Sequence, residues 1–312
     1  MRAVLCGCLA ILFGACGGSP TAPPPATLSL ACPANLERPS PGGGPVTVTY
    51  AMPAVSGGSA PVSVSCQPAS GSDFRPGSTP VTCTASDGAG RPAACSFSIV
   101  IALAPQLRVT RFLAFGDSLS EGKVSVRPGL PIESPPHSYP YKLETLLRER
   151  YPQDGVVVLN EGFGGERATQ SYPRFQDALD VHRPDAVLLM HGMNDLNGDG
   201  LPGVQAAVDG VEELVKEARR AGLPTLVATL PPMGDGPKAS CPACIDPFND
   251  RIRAVAAAKG ALLVDVERVW GTGAGLMGAD GIHPTEAGYE AIAAAFFEVI
   301  RQHLETAAPA SE

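Results

Sequence analysis

From residue 106 onward the chain alternates two hydrophobic periods. Near-continuous apolar runs at Arg111–Phe115, Val156–Leu159, Ala186–Met190, Thr225–Ala228 and Ala261–Val266 read as strands buried on both faces. Between them, apolar residues recur at three- and four-residue steps. That spacing predicts helices over Ser138–Arg150, Phe175–Val181, Gly203–Ala221, Pro247–Lys259 and Pro284–Leu304. In the first, Leu143, Leu146 and Leu147 share a side. In the last, Tyr289, Ile292, Phe296, Val299, Ile300 and Leu304 do. Strands that alternate with helices predict an α/β domain with a parallel sheet covered on both faces. Residues 27–103 follow another rule. VTVTY, PVSVSC, PVTCTAS and CSFSIVIAL are short alternating runs between Gly, Pro and Ser turns, with no helical period among them. They predict a small all-β sandwich. The expected layout is a sandwich over 27–104, an α/β domain over 105–308 and a tail at 309–312.

The first residues change the expected compartment. Arg2 precedes AVLCGCLAILFGA, an apolar stretch too short to span a bilayer but laid out like a secretory signal peptide. Residues 17–26, GGSPTAPPPA, have no hydrophobic period and read as a tether. The junction FGAC resembles a bacterial lipoprotein lipobox, which would make Cys16 the lipidated residue, although Phe13 stands where an aliphatic residue is usual. Cleavage without lipid is the alternative. The expectation is an exported bacterial protein, anchored to a membrane surface through Cys16 or else secreted. Of the nine cysteines, Cys6, Cys8 and Cys16 lie in this leader, which leaves an even set of six. Composition adds two exclusions. With 44% hydrophobic residues the chain can fill a core. With a net charge of −8 and no Lys/Arg-rich run, nucleic acid is not an expected partner.

Candidate chemistry sits where strands end. FGDSLSEG, residues 115–122, follows the first strand and offers Ser118 as a nucleophile. Alone, such a serine is as well explained as a turn or helix cap. The G-x-S-x-G elbow of α/β-hydrolases occurs nowhere in the chain. Far downstream, DGIHPTEAGY places Asp280 three residues before His283, ahead of the last helix. The expectation is that Pro284 occupies its first turn and holds His283 extended, with Asp280 orienting the ring and the other ring nitrogen facing Ser118. Oxyanion donors are sought at two more strand ends. LNEGFGGERA supplies glycines whose backbone can approach a ligand, and LLMHGMNDL supplies the uncharged amide of Asn194.

These four pieces resemble, in type and order, the blocks of the SGNH hydrolases, the GDSL esterases/lipases. The resemblance spans about residues 106–306. It implies a flavodoxin-like three-layer α/β/α fold and a serine esterase. Ser118 would be the nucleophile, with His283 and Asp280 as its base and orienting acid. The Ser118 and Gly165 N–H groups and the Asn194 amide would form the oxyanion hole, with Gly164 the alternative to Gly165. No cofactor or metal is implied. The substrates it implies are small-molecule, lipid or glycan esters: short- to medium-chain acyl, lysophospholipid or acetylated-sugar types. Asp117 and Asp195 are read as structural hydrogen-bonders.

The stretch from Cys66 to Ala102, through SGSDFRPGSTPVTCTASDGAG, resembles a hyalin-repeat module, an immunoglobulin-like sandwich with a spacer or adhesion role. Its four cysteines allow three pairings. Cys66–Cys83 with Cys32–Cys95 is the expected one, since first and last strands often adjoin in such sandwiches. Cys241 and Cys244, in CPAC, are expected to form a disulfide that stiffens their loop, since a zinc knuckle lacks further ligands. The Pro-rich segment 123–140 is expected to wall the cleft, with His137 a loop residue. Two other readings compete. A metal-dependent phosphoesterase would use a D-x-H such as Asp180–His182, but that motif lies away from the first strand. A non-catalytic adhesion or binding protein would leave the catalytic residue types unused.

Overall fold

The structure, a computed structural model, describes residues 26–40, 43–125, 131–133 and 135–306. Cys16, the expected signal peptide and nearly all of the tether lie outside these residues. The chain divides into two compact units, with the main boundary between Val100 and Ile101.

The first unit is all β. A four-stranded sheet runs in the order Leu36–Ser40, Pro92–Leu103, Gly77–Ser86, Ser63–Gln67. Shorter antiparallel ladders join Val46–Val48 to Ser72–Phe74 and Ser29–Ala31 to Ala54–Ser56. Alternation along Gly77–Ser86 buries Val81, Cys83 and Ala85, as the period-2 pattern requires. Cys66 and Cys83 are directly opposed in the ladder and are bonded, with Cα atoms 4.0 Å apart. The second bond joins Cys32 to Cys95. Both pairs are those expected.

The second unit begins with β1 (Arg111–Gly116) and a one-turn helix α1 (Ser118–Glu121). Next come α2 (Tyr139–Arg150), β2 (Val157–Gly162), α3 (Tyr172–His182), β3 (Ala186–Met190) and α4 (Met193–Arg220). The rest is β4 (Thr225–Ala228), α5 (Ile245–Lys259), β5 (Leu262–Val264), α6 (Val266–Trp270) and α7 (Glu286–Leu304). The five strands are parallel, in the order β2-β1-β3-β4-β5. This is the flavodoxin-like order, and its switch point lies between β1 and β3. Every residue of β3 and β4 is buried, which is why neither showed an alternating pattern.

Register places the site. Gly116 is level with Gly162 of β2 and Met190 of β3. The three chains therefore leave the sheet at one height. Two of those exits need glycine. A Cβ on Gly116 would lie 2.0 Å from the Met190 carbonyl oxygen, and one on Gly162 would lie 2.0 Å from the Glu121 nitrogen.

Four local expectations are corrected. α4 begins ten residues before Gly203, as two helical segments joined at Gly200, whose φ of 63° and ψ of −156° break the run ahead of Pro202. The last helix starts after Pro284, because Thr285 caps it by accepting from the Gly288 N–H at 3.2 Å. β5 is shorter than read, since Asp265 leaves the strand to cap α6. Within the Pro-rich segment, Lys123–Ser125 pairs antiparallel with Pro131–Glu133.

Candidate active site

Ser118 is the first residue of α1. Asp117 caps that helix by accepting from the Leu119 N–H at 3.0 Å. Its other oxygen accepts from the Met193 N–H at 3.2 Å, so one buried carboxylate ties the serine turn to the start of α4. The capping alternative thus belongs to Asp117, and the Ser118 hydroxyl is left to other partners.

That hydroxyl meets His283. Nε2 of His283 lies 2.9 Å from Ser118 Oγ, and Nδ1 lies 2.6 Å from Asp280 Oδ2. A carboxylate only accepts, so Nδ1 carries the proton and Nε2 turns a lone pair toward the serine. Asp280 is fully buried. Its Oδ1 accepts the N–H groups of Ile282 (3.2 Å) and His283 (3.0 Å). Burial alone would raise this carboxyl, yet the His283 ring and the backbone N–H groups hold it below the ordinary carboxylate value. Two supports were not legible in the sequence. Ser125 Oγ accepts the Asp280 N–H at 3.1 Å, and Lys238 Nζ stands 3.3 Å from Asp280 Oδ2. Lys238 comes from the loop after β4, which closes on the Asp280 turn through Lys238 N–H to Asp280 O and Gly234 N–H to Gly281 O. The Cys241–Cys244 disulfide, as expected, lies at the far end of that loop.

Ser118, Gly164, Gly165, Asn194 and His283 line one cleft of about 350 Å³. Lys123, Asn197, Lys238 and Ile282 also line it, so among the described residues Ile282 is its one aliphatic side chain. Gly165 has a φ of 84°, a left-handed conformation that suits glycine. A Cβ on Gly164 would run into Lys123 and Glu121. Asn194 donates one amide N–H to the Glu166 carbonyl at 2.9 Å, which leaves its second N–H for a ligand. Asp195, fully buried, accepts from the N–H groups of Ala168 and Thr169 and fastens the loop after β2 to α4.

Other sequence candidates fall elsewhere. His137 ends a short 3-10 turn with Nδ1 3.4 Å from Glu286, and it does not line this cleft. His182 bonds Glu161 at 2.6 Å, and neither it nor Asp180 reaches the cleft. Among the described residues no group of three or more His, Cys, Asp or Glu side chains is arranged to hold a metal ion.

Residues 114–291 match the model of the GDSL-like lipase/acylhydrolase family, and residues 21–101 match that of the HYR domain. No curated protein matches the chain. Among solved structures, the chain is similar to a lipase/acylhydrolase from Enterococcus faecalis. That pair is 20% identical, with 64% of this chain and 100% of that one covered and a TM-score of 0.55. An alpha/beta hydrolase from the metagenome of Lake Arreo is 24% identical, over 62% of this chain and 96% of its own, at a TM-score of 0.51. An acetylxylan esterase from Geobacillus stearothermophilus is 21% identical, over 62% and 95%, at 0.50. At these identities the structures establish the fold.

Proposed function

Because this chain belongs to the GDSL-like lipase/acylhydrolase family and is an ester-hydrolysing enzyme, we propose that it cleaves short-acyl carboxylic esters through an acyl-enzyme on Ser118. The observation that carries this reading is the continuous chain Ser118 Oγ, His283, Asp280, at 2.9 and 2.6 Å. His283 Nε2 takes the hydroxyl proton as Oγ attacks the ester carbonyl. The negative charge that develops on the carbonyl oxygen is met by the N–H groups of Ser118 and Gly165 and by the free N–H of Asn194. His283 then returns the proton to the leaving alcohol. Water, deprotonated by the same nitrogen, releases the acid and restores Ser118. Asp280 remains a carboxylate throughout and stabilises the imidazolium.

The cleft supports the choice of acyl group. Each buried CH₂ contributes about 0.8 kcal/mol, and the described part of the lining, with Ile282 its one aliphatic side chain, offers a long acyl chain little apolar surface. Acetyl and similarly short acyl groups on a polar alcohol fit it. Export fits the three disulfides, which persist in oxidising compartments. The FGAC sequence supports a lipid at Cys16.

The test is hydrolysis of p-nitrophenyl esters from acetyl to palmitoyl. Turnover should be highest at the short end. Ser118→Ala and His283→Ala should each lower kcat by about 10³-fold or more, with Asp280→Asn retaining a small residue of activity. A palmitoyl optimum would refute the acyl assignment, and wild-type turnover in S118A would remove the serine from the mechanism.

A further inference from the structure

The three proposed oxyanion donors have neighbours that converge on one side chain. Asp117 precedes Ser118, Glu166 follows Gly165, and His191 lies three residues before Asn194. His191 is 1% exposed, at the end of β3. Its Nδ1 lies 3.5 Å from Asp117 Oδ2 and its Nε2 lies 3.3 Å from Glu166 Oε2. Arg174 of α3 holds both Glu166 oxygens, through Nε to Oε1 (2.8 Å) and a second nitrogen to Oε2 (2.5 Å), the oxygen that also faces His191. The same guanidinium donates to the backbone oxygens of Glu161 at 3.0 Å and Gly116 at 3.4 Å, and it lies 4.0 Å from the centre of the Phe115 ring. The Glu166 carbonyl in turn receives the Asn194 amide. No step of the mechanism above uses His191, Glu166 or Arg174.

We propose that His191 is a positioning residue which locks the carriers of Ser118, Gly165 and Asn194 into one oxyanion hole, its buried ring bridging Asp117 and Glu166. The inference rests on the serine-esterase reading. A hydrogen bond from a backbone donor stabilises an oxyanion only if the donor is held where the charge will appear. Glycine at 165 permits the needed conformation but does not enforce it. Enforcement comes from the residue on each side of the bridge. Remove the imidazole and Glu166 loses its direct tie to Asp117, so the loop bearing Gly165 is referenced to the serine turn only indirectly, through Arg174 and the Gly116 oxygen and through Asp195 and α4.

The charge on the ring follows from the groups around it. The Gly192 N–H lies 3.0 Å from Nδ1, an approach that favours a lone pair there. Burial likewise opposes a proton. The hydrogen bonds and charges of Asp117 and Glu166, the latter shared with Arg174, outweigh both and hold the ring protonated up to about 9. Arg174 and His191 together hold Glu166 down to about 2 against its own burial. A raised histidine keeps its ion contacts below pH 6.5 in full and loses them as pH rises through about 9.

The experiment uses the full chain with p-nitrophenyl acetate at pH 6 to 10, beside labelling of Ser118 with a fluorophosphonate. His191→Gln, whose one amide nitrogen cannot face both carboxylates and carries no charge, should lower kcat about 10- to 100-fold at pH 7 with KM within about threefold, less than the loss of a whole oxyanion donor. Glu166→Gln should do the same. The double variant should lose little more than either one, because the pair acts as a unit. Wild-type kcat should fall as pH rises through about 9, and this limb should be missing in H191Q. A folded H191Q with kcat within twofold of wild type overturns the inference. So does a loss carried by KM alone, or a wild-type kcat that stays flat to pH 10, which needs no variant to fold. Wild type that neither labels nor turns over any ester overturns the esterase reading first, whereas active wild type beside an indifferent H191Q overturns only this one.

Discussion

Asp280 illustrates how much of this site is set one residue at a time. Its two oxygens face four donors: two backbone N–H groups on Oδ1, the His283 ring and Lys238 Nζ on Oδ2. The backbone pair fixes the carboxylate plane. The ring contact is the one the proposed mechanism needs. The ammonium works against it, because a positive charge 3.3 Å from Oδ2 offsets part of the field that stabilises an imidazolium. Lys238 is 35% exposed, so water screens much of this effect. Lys238→Met should therefore leave kcat/KM near its optimum within about threefold and move the acid limb of the profile upward by about a few tenths of a pH unit. The pH–rate profiles of the two proteins on one ester decide it. An acid limb that moves downward would mean that the lysine supports the imidazolium by another route.

At the scale of elements, the three strands that carry the site were legible because each is a run of apolar residues long enough to be buried on both faces. Ser118, Gly165 and Asn194 are legible because each lies in a short motif beside such a run, and Asp280 and His283 because theirs lies just ahead of the last helical period. What stayed hidden is of another kind. Lys238 reaches Asp280, and Arg174 reaches Glu166, across elements packed only in three dimensions, and no local period marks such a contact. The start of α4 was missed because Asn194–Gly200 is polar and glycine-rich, a composition that reads as loop. Close packing at the strand ends was equally silent. Gly162 shows the consequence. An added Cβ would lie 2.0 Å from the Glu121 nitrogen and 2.5 Å from the Ser120 carbonyl carbon, both backbone atoms that cannot rotate away. Gly162→Ala must push α1, and with it Ser118, out of place. Overpacking of this kind costs about 1–3 kcal/mol, and a displacement of about 1 Å in a reacting group can cost about 10²-fold in rate. Urea unfolding and kcat measured on the same preparation test both figures, and a variant with unchanged activity would show that α1 yields without moving Ser118.

Across the whole molecule, the two units are stabilised by different means. The contiguous hydrophobic core runs from Leu107 to Leu304 and belongs to the second unit. The first unit is a sandwich of roughly 75 residues, a size at which one core supplies few kcal/mol and covalent links often complete the fold. Its two disulfides close separations of 63 and 17 residues. Loop-closure entropy makes them worth about 4 and about 3 kcal/mol respectively. Cys241–Cys244 closes a separation of only 3 residues, so the same entropy leaves it far less effect on global stability. Calorimetry should therefore show two unfolding transitions. A reductant strong enough to open all three bonds should lower the transition of the first unit sharply and that of the second by only a few degrees. Hydrolysis of p-nitrophenyl acetate after mild reduction should persist to temperatures at which the first unit has already unfolded. A single transition that shifts as a whole under reduction would show instead that the sandwich contributes to the stability of the catalytic unit, and that its disulfides act on the enzyme and not only on their own sheet.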